Sequence, residues 1–163
     1  MLVSQGHEIA AEESDATLVV IDMQPECFIY ARWMVKPVLA QMQEAARQGQ
    51  GIVLVQYAVG LEDAIAPAIL QAFRECPRQA LAVKTQEDGS DKVLAACLEA
   101  NLSTSRFRIC GVTTDDCVTK TAHGLALLCP SARIEVIKSA CECWQGNRYD
   151  WSSFSHLPNV IPV

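Results

Sequence analysis

Residues 106–128, RFRICGVTTDDCVTKTAHGLALL, pass from a continuous apolar run into a helical pattern with only a short polar turn between them. RFRICGV (106–112) reads as a strand, and DDCVTKTAHGLALL (115–128) as a helix ended by Cys129-Pro130. Thr114 or Asp115 is placed to cap that helix, which puts Cys117 in its first turn beside unpaired backbone N–H groups.

The same alternation continues on both sides. TLVVIDM (17–23), GIVLVQYAV (51–59), ALAVK (80–84), RIEVIKSA (133–140) and NVIPV (159–163) read as further strands. Between them, helical spacing appears over 35–48, 62–76 and 91–102, with the second starting near Pro67 and the third capped by Ser90 or Asp91. A short helix is expected over 149–157. Continuous apolar strands separated by helices of 10–15 residues indicate a mostly parallel sheet covered on both faces, a three-layer α/β/α sandwich. Its working crevice belongs at the carboxyl ends of the strands, where the strand order reverses.

At 163 residues and 50 % hydrophobic, the chain suits one domain over 1–163, with 1–14 as an N-terminal extension. Its net charge of -6 and its scattered basic residues argue against nucleic acid as a partner. No apolar run approaches the roughly 20 residues that cross a bilayer, so no membrane partner is expected. The N-terminus lacks the pattern of a secretory signal, which makes the cytoplasm the expected location and free thiols the expected state of the eight cysteines.

Three chemically capable side chains fall at one rim of such a sheet: Asp22 ends the first strand, Lys84 the third, and Cys117 follows the fourth. The positive end of a helix and a nearby ammonium would both favour a Cys117 thiolate, whereas Asp115 and Asp116 would oppose it. By position alone Cys117 is either a nucleophile or a small side chain that lets its helix approach the sheet. Thr121 and Gly124, small as well, share its face. Asp22 is either a desolvated carboxylate poised for proton transfer or a turn residue holding Gln24-Pro25. Lys84 is either its ion-pair partner or a solvated lysine at a strand exit. Phe28 and Tyr57 are candidate substrate-binding walls, with core packing as the alternative. Cys141-Glu142-Cys143 lacks a second pair or a histidine to complete a metal site, and His123 lies on the opposite side of its helix from Cys117. Neither GxGxxG nor a phosphate loop occurs, so no nucleotide cofactor is expected.

VVIDMQPECF (19–28), AVK (82–84) and ICGVTTDDCVTKTAHGLAL (109–127) together resemble, in order and spacing, the isochorismatase-like cysteine hydrolases, over residues 17 to 140. The resemblance implies a six-stranded, mostly parallel sheet and a catalytic triad of Asp22, Lys84 and Cys117. It also implies a cis Val112–Thr113 peptide, with the Thr113 and Cys117 backbone N–H groups forming an oxyanion hole. The activity implied is hydrolysis of a small amide or carbamoyl-type C–N bond through a thioester, by a homo-oligomer acting on a small-molecule substrate. The alternative is a family relative that keeps these residues but serves as a non-catalytic binding domain. QYAVGLEDAIAP (56–67) lacks the Asp-x-His with which nicotinamidases of the family bind a metal, so no metal or other cofactor is expected. The retained Cys117 points away from the isochorismate-cleaving members, which lack it. TQEDGSD (85–91) and PECF (25–28) depart from the family pattern in segments that line the substrate pocket.

Overall fold

The structure is a computed structural model that describes residues 15–58, 60 and 64–163. The proposed N-terminal extension, 1–14, lies outside them. Six strands appear among the described residues: β1 (Thr17–Ile21), β2 (Gly51–Tyr57), β3 (Gln79–Lys84), β4 (Arg106–Val112), β5 (Arg133–Glu142) and β6 (Val160–Pro162). They form one sheet in the order β3-β2-β1-β4-β5-β6, and every pairing is parallel. The chain adds strands outward from β1 in one direction, then crosses back to add β4 on its other side. Ends of β1 and β4 are therefore adjacent, and the topological switch point lies between them.

Burial explains the order. All five side chains of β1 are buried, as a strand at the centre of a covered sheet requires. Leu18 and Val20 face one layer with Met34, Val38, Met42, Ile69 and Phe73, which come from α1 (Ala31–Arg47) and α2 (Pro67–Glu75). Val19 and Ile21 face the other with Val93, Cys97, Ala122 and Leu125, from α3 (Ser90–Glu99) and α4 (Thr119–Leu128). This is the three-layer α/β/α sandwich read from the alternation of strands and helices. Among the described residues no helix is long and apolar enough to cross a membrane. Cys76, Cys97, Cys110, Cys117, Cys129, Cys141 and Cys143 are free thiols.

Three helices differ from the sequence reading. The first starts at Ala31 rather than 35 and carries Pro37 inside it. Ala31 and Met34 extend the buried stripe of Val38, Met42 and Ala45 by one turn, and their burial offsets the roughly 3 kcal/mol that an interior proline costs. The fourth is not one α-helix from 115. Residues Thr114–Val118 form a π-turn, in which the Val118 N–H reaches the Thr113 carbonyl at 3.1 Å, and α4 follows from Thr119. No side chain caps this turn, so the expected cap by Thr114 or Asp115 is absent. Near the C-terminus, 3-10 turns over Gly146–Arg148 and Trp151–His156 replace the expected helix over 149–157.

Gly111, in the middle of the quoted stretch, has φ 117°, and a Cβ there would lie 2.1 Å from the Ile21 carbonyl oxygen. That contact is backbone against backbone between the two strands at the switch point, so neither side can yield by a rotamer change. Gly111→Ala is expected to destabilise the fold by more than about 4 kcal/mol. The denaturation midpoint measures this; a loss near that of an ordinary surface substitution would contradict the packing of β4 on β1.

Candidate active site

Asp22 immediately follows β1 with φ 52°, a left-handed conformation that aspartate tolerates better than most residues. Its N–H donates to the Val55 carbonyl (3.1 Å) and its carbonyl accepts from Gln24 N–H (2.7 Å), which fixes the direction of the side chain. Lys84 ends β3, and its Nζ stands 2.9 Å from Asp22 Oδ2. The two side chains are 1 % and 0 % exposed, so this is a fully desolvated ion pair. Nζ also donates to the Glu87 carbonyl at 2.9 Å and lies 4.7 Å from the centre of the Tyr57 ring, where the π face favours a cation. The lysine is thus paired and buried, and not the solvated alternative.

Cys117 sits in the π-turn, 2 % exposed, with its thiol interacting with both Asp22 and Lys84. The structure therefore brings together the three side chains that the sequence placed at one rim. Burial, and then the Asp22 charge, push the Cys117 thiol up to about 12, with Lys84 only partly opposing them. Of the opposing influences weighed from the sequence, those against the thiolate prevail: water has been removed from the sulfur, and Asp22 bears on it as an anion. Burial likewise raises the Asp22 carboxyl, against the lowering effect of Lys84 and of the thiol. Asp22 Oδ2 faces the Lys84 ammonium, and Oδ1 is buried without an aligned hydrogen-bond donor. A buried acceptor left open beside a thiol is able to receive its proton.

The Val112–Thr113 peptide is cis. The Thr113 carbonyl accepts from the N–H groups of Asp116 and Val118, both at 3.1 Å, so this residue anchors the turn that carries the cysteine. Phe28 and Tyr57 are both half-buried and meet with ring centroids 6.0 Å apart, Phe28 on the α1–α2 side and Tyr57 on the α3–α4 side. Tyr57 thereby touches the site through Lys84, and Phe28 adjoins it through the Tyr57 ring and through its N–H, which donates to the Gln24 carbonyl at 2.8 Å. His123 packs against Phe154 and His156, at ring-centroid distances of 5.6 and 6.3 Å, and takes no part in the site. Among the described residues no group of three or more His, Cys, Asp or Glu gathers where it could hold a metal ion.

Sequence reasoning missed Gln24. Its fully buried amide donates to the Tyr57 carbonyl and accepts from the Tyr57 N–H, both at 2.8 Å, clamping the end of β2 beside the ion pair. The signal was a polar residue three positions after a buried strand, which by itself also fits a turn. The carbonyl of Glu87 was equally invisible, because a backbone acceptor has no sequence signature.

Compared by sequence, the chain matches no protein-family model and no curated protein. Compared by structure, it is similar to a nicotinamidase from Staphylococcus aureus, with a TM-score of 0.72 at 16 % identity, covering 92 % of this chain and 98 % of that one. An N-carbamoylsarcosine amidase from Thermoplasma acidophilum gives 0.70 at 18 % identity, over 91 % and 95 %. An isochorismatase-like hydrolase from Alkaliphilus metalliredigens gives 0.66 at 18 % identity, over 92 % and 93 %. The fold is that of the isochorismatase-like hydrolases. Likeness at these identities is likeness of architecture, and it spans nearly the full length of both partners in each comparison. The isochorismatase-like fold accounts for the all-parallel sheet and for the meeting of β1 and β4 at its switch point.

Proposed function

We propose that the protein is a cysteine hydrolase that cleaves a small amide or carbamoyl-type C–N bond. The observation that carries this reading is the desolvated Asp22–Lys84 ion pair with the Cys117 thiol against the same carboxylate. Structural packing alone would not call for such a group: a buried ion pair contributes little net stability, and a third reactive side chain on it contributes less. Two of the proteins with this fold, a nicotinamidase and an N-carbamoylsarcosine amidase, bear names for amide-cleaving activities, which agrees with the chemistry proposed.

In this mechanism Asp22 takes the Cys117 proton as the sulfur attacks the substrate carbonyl. The thiol is too weak an acid to ionise beforehand, so proton transfer and attack proceed together. The tetrahedral oxyanion is held by the backbone N–H groups of Thr113 and Cys117. Asp22 then delivers the proton to the departing amine, leaving a thioester on Cys117. Water, deprotonated by Asp22, attacks that thioester; the C–S bond breaks, the acid is released, and Asp22 returns the proton to the Cys117 sulfur. Lys84 keeps the Asp22 carboxylate ionised for both half-reactions. Tyr57 and Phe28 wall the substrate, no metal or other cofactor takes part, and the working form is a homo-oligomer.

The test combines a panel of small amides and carbamoyl compounds, assayed for ammonia, with hydroxylamine to intercept the thioester as a hydroxamate. Asp22→Asn is the informative variant. Removing the carboxylate charge should let Cys117 ionise at lower pH, seen as a downward shift in the pH midpoint of site-resolved iodoacetamide labelling. Turnover should nevertheless fall by about 10²–10⁴-fold, because the proton acceptor is gone. A sulfur that becomes more ionised and less productive separates general-base catalysis from simple thiolate reactivity. Absence of turnover across the panel, with labelling indifferent to Asp22, would instead favour a non-catalytic binding domain.

A further inference from the structure

The Lys84 ammonium is held from two sides, by Asp22 Oδ2 and by the carbonyl of Glu87, each at 2.9 Å. Glu87 belongs to the turn 85–89, which leaves β3 and folds back over the lysine before α3 begins. Residues 85–88 of that turn are exposed and only Gly89 is buried, so whatever fixes Gly89 fixes the position of the Glu87 carbonyl. The Gly89 N–H donates to Thr121 Oγ1 at 3.0 Å, a buried bond between residues 32 apart in sequence. Thr121 itself is 0 % exposed. A Cβ at Gly89 would stand 3.0 Å from Lys84 Cδ and 3.6 Å from Thr121 Oγ1, so the lysine stem, the turn and the hydroxyl meet around one point.

Small size does not account for Thr121. Gly124 on the same helix already provides the close approach: a Cβ there would lie 2.2 Å from Ser90 Oγ and 2.8 Å from Asp88 Oδ1. What Thr121 adds is a hydroxyl, aimed at a buried donor on the turn around Lys84 and carried on the helix that continues directly from Cys117.

We propose that Thr121 is a positioning residue for the Asp22–Lys84–Cys117 site, tying the turn that supplies the second acceptor of Lys84 to the helix that presents the sulfur. The proposal rests on reading that site as catalytic. Without the hydroxyl, the Gly89 N–H is a buried donor with no acceptor, and the turn relieves this by moving toward water. Glu87 moves with it, Lys84 loses an anchor, and its hold on both Asp22 and Cys117 weakens.

Thr121→Val keeps the shape and removes the hydroxyl; Thr121→Ser keeps the hydroxyl. Thr121→Val is expected to lower kcat by about 10–100-fold with little change in KM, because a displaced ammonium affects the chemical step more than binding. Asp22 opposes ionisation of the sulfur and Lys84 eases it, while Tyr57 and, from the helix side, Lys120 also interact electrostatically with Cys117, and Asp116 acts on Asp22. The midpoint of Cys117 alkylation should therefore move to higher pH in Thr121→Val and return toward wild type in Thr121→Ser. A purely structural role would lower the melting temperature without moving that midpoint. Wild-type kcat and alkylation in Thr121→Val, or a serine variant no better than valine, would overturn the proposal. Alkylation needs no substrate, so a wild-type protein inactive on every amide would refute the hydrolase reading while leaving the effect of Thr121 on the sulfur measurable.

Discussion

Cys117→Ala is expected to lower amide hydrolysis by on the order of 10⁴-fold or more, with the protein still folded. The size of the effect follows from the division of labour at the site. Without the sulfur, Asp22 is left to activate water, which forms no acyl intermediate with the substrate. Folding should survive because the change removes a single buried sulfur from one member of a large apolar cluster, a loss of about 1 kcal/mol. Cys117→Ser should be nearly as inactive, since the hydroxyl is a far weaker acid than a thiol. Steady-state ammonia release measures the rate, and a thermal melt of each variant checks the fold. Hydrolysis by Cys117→Ala at about a tenth of the wild-type rate or above would show that sulfur is not the nucleophile.

Lys84→Met is expected to destabilise the protein by about 3–5 kcal/mol at neutral pH, the cost of leaving one member of a buried ion pair without its partner. Methionine approximates the length of the lysine stem, so the loss reports the missing charge more than missing volume. The effect has a defined pH dependence. Burial already raises the Asp22 carboxyl above its ordinary value, and removing Lys84 removes the main opposing influence. A carboxyl raised in the folded state favours folding when protonated, so its contribution is complete below the ordinary carboxylate range and is lost as pH rises through the folded value. The variant should thus stand closest to wild type at acidic pH and fall progressively behind as pH rises. Denaturant midpoints at pH 5 and pH 8 compare the two. An equal deficit at both would mean that Lys84 contributes packing and not charge.

Much of this fold was legible because its strands are buried on both faces. A strand such as TLVVI, apolar at every position, has one stable environment in a chain of this size, and repeated helix-length spacers between such strands leave few topologies. The strand Arg106–Val112 has the bounds read from the sequence. The π-turn at Thr114–Val118 was not legible. An i→i+5 turn and an α-helical first turn differ by one backbone bond, and both fit the same polar residues. The early start of α1 was hidden for a related reason: Pro37 argues locally against a helix that burial of Ala31 and Met34 sustains from a distance. The cis Val112–Thr113 peptide is present as the family resemblance implied; composition and periodicity gave no sign of it.

The amino-acid sequence by itself determined which residues are strands, that the sheet is parallel and covered, and that Asp22, Lys84 and Cys117 end up at one rim. Hydrophobic periodicity carries that information because it records which side of each element water must leave. Tertiary structure alone decided that Lys84 is buried and paired with Asp22, and that Cys117 is buried against them. It also brought Gln24, Glu87 and Thr121 around them. Those properties depend on distances of about 3 Å between residues tens of positions apart, and on how little water remains between them. Neither quantity exists until the crossovers have brought β1, β3 and β4 to the same edge.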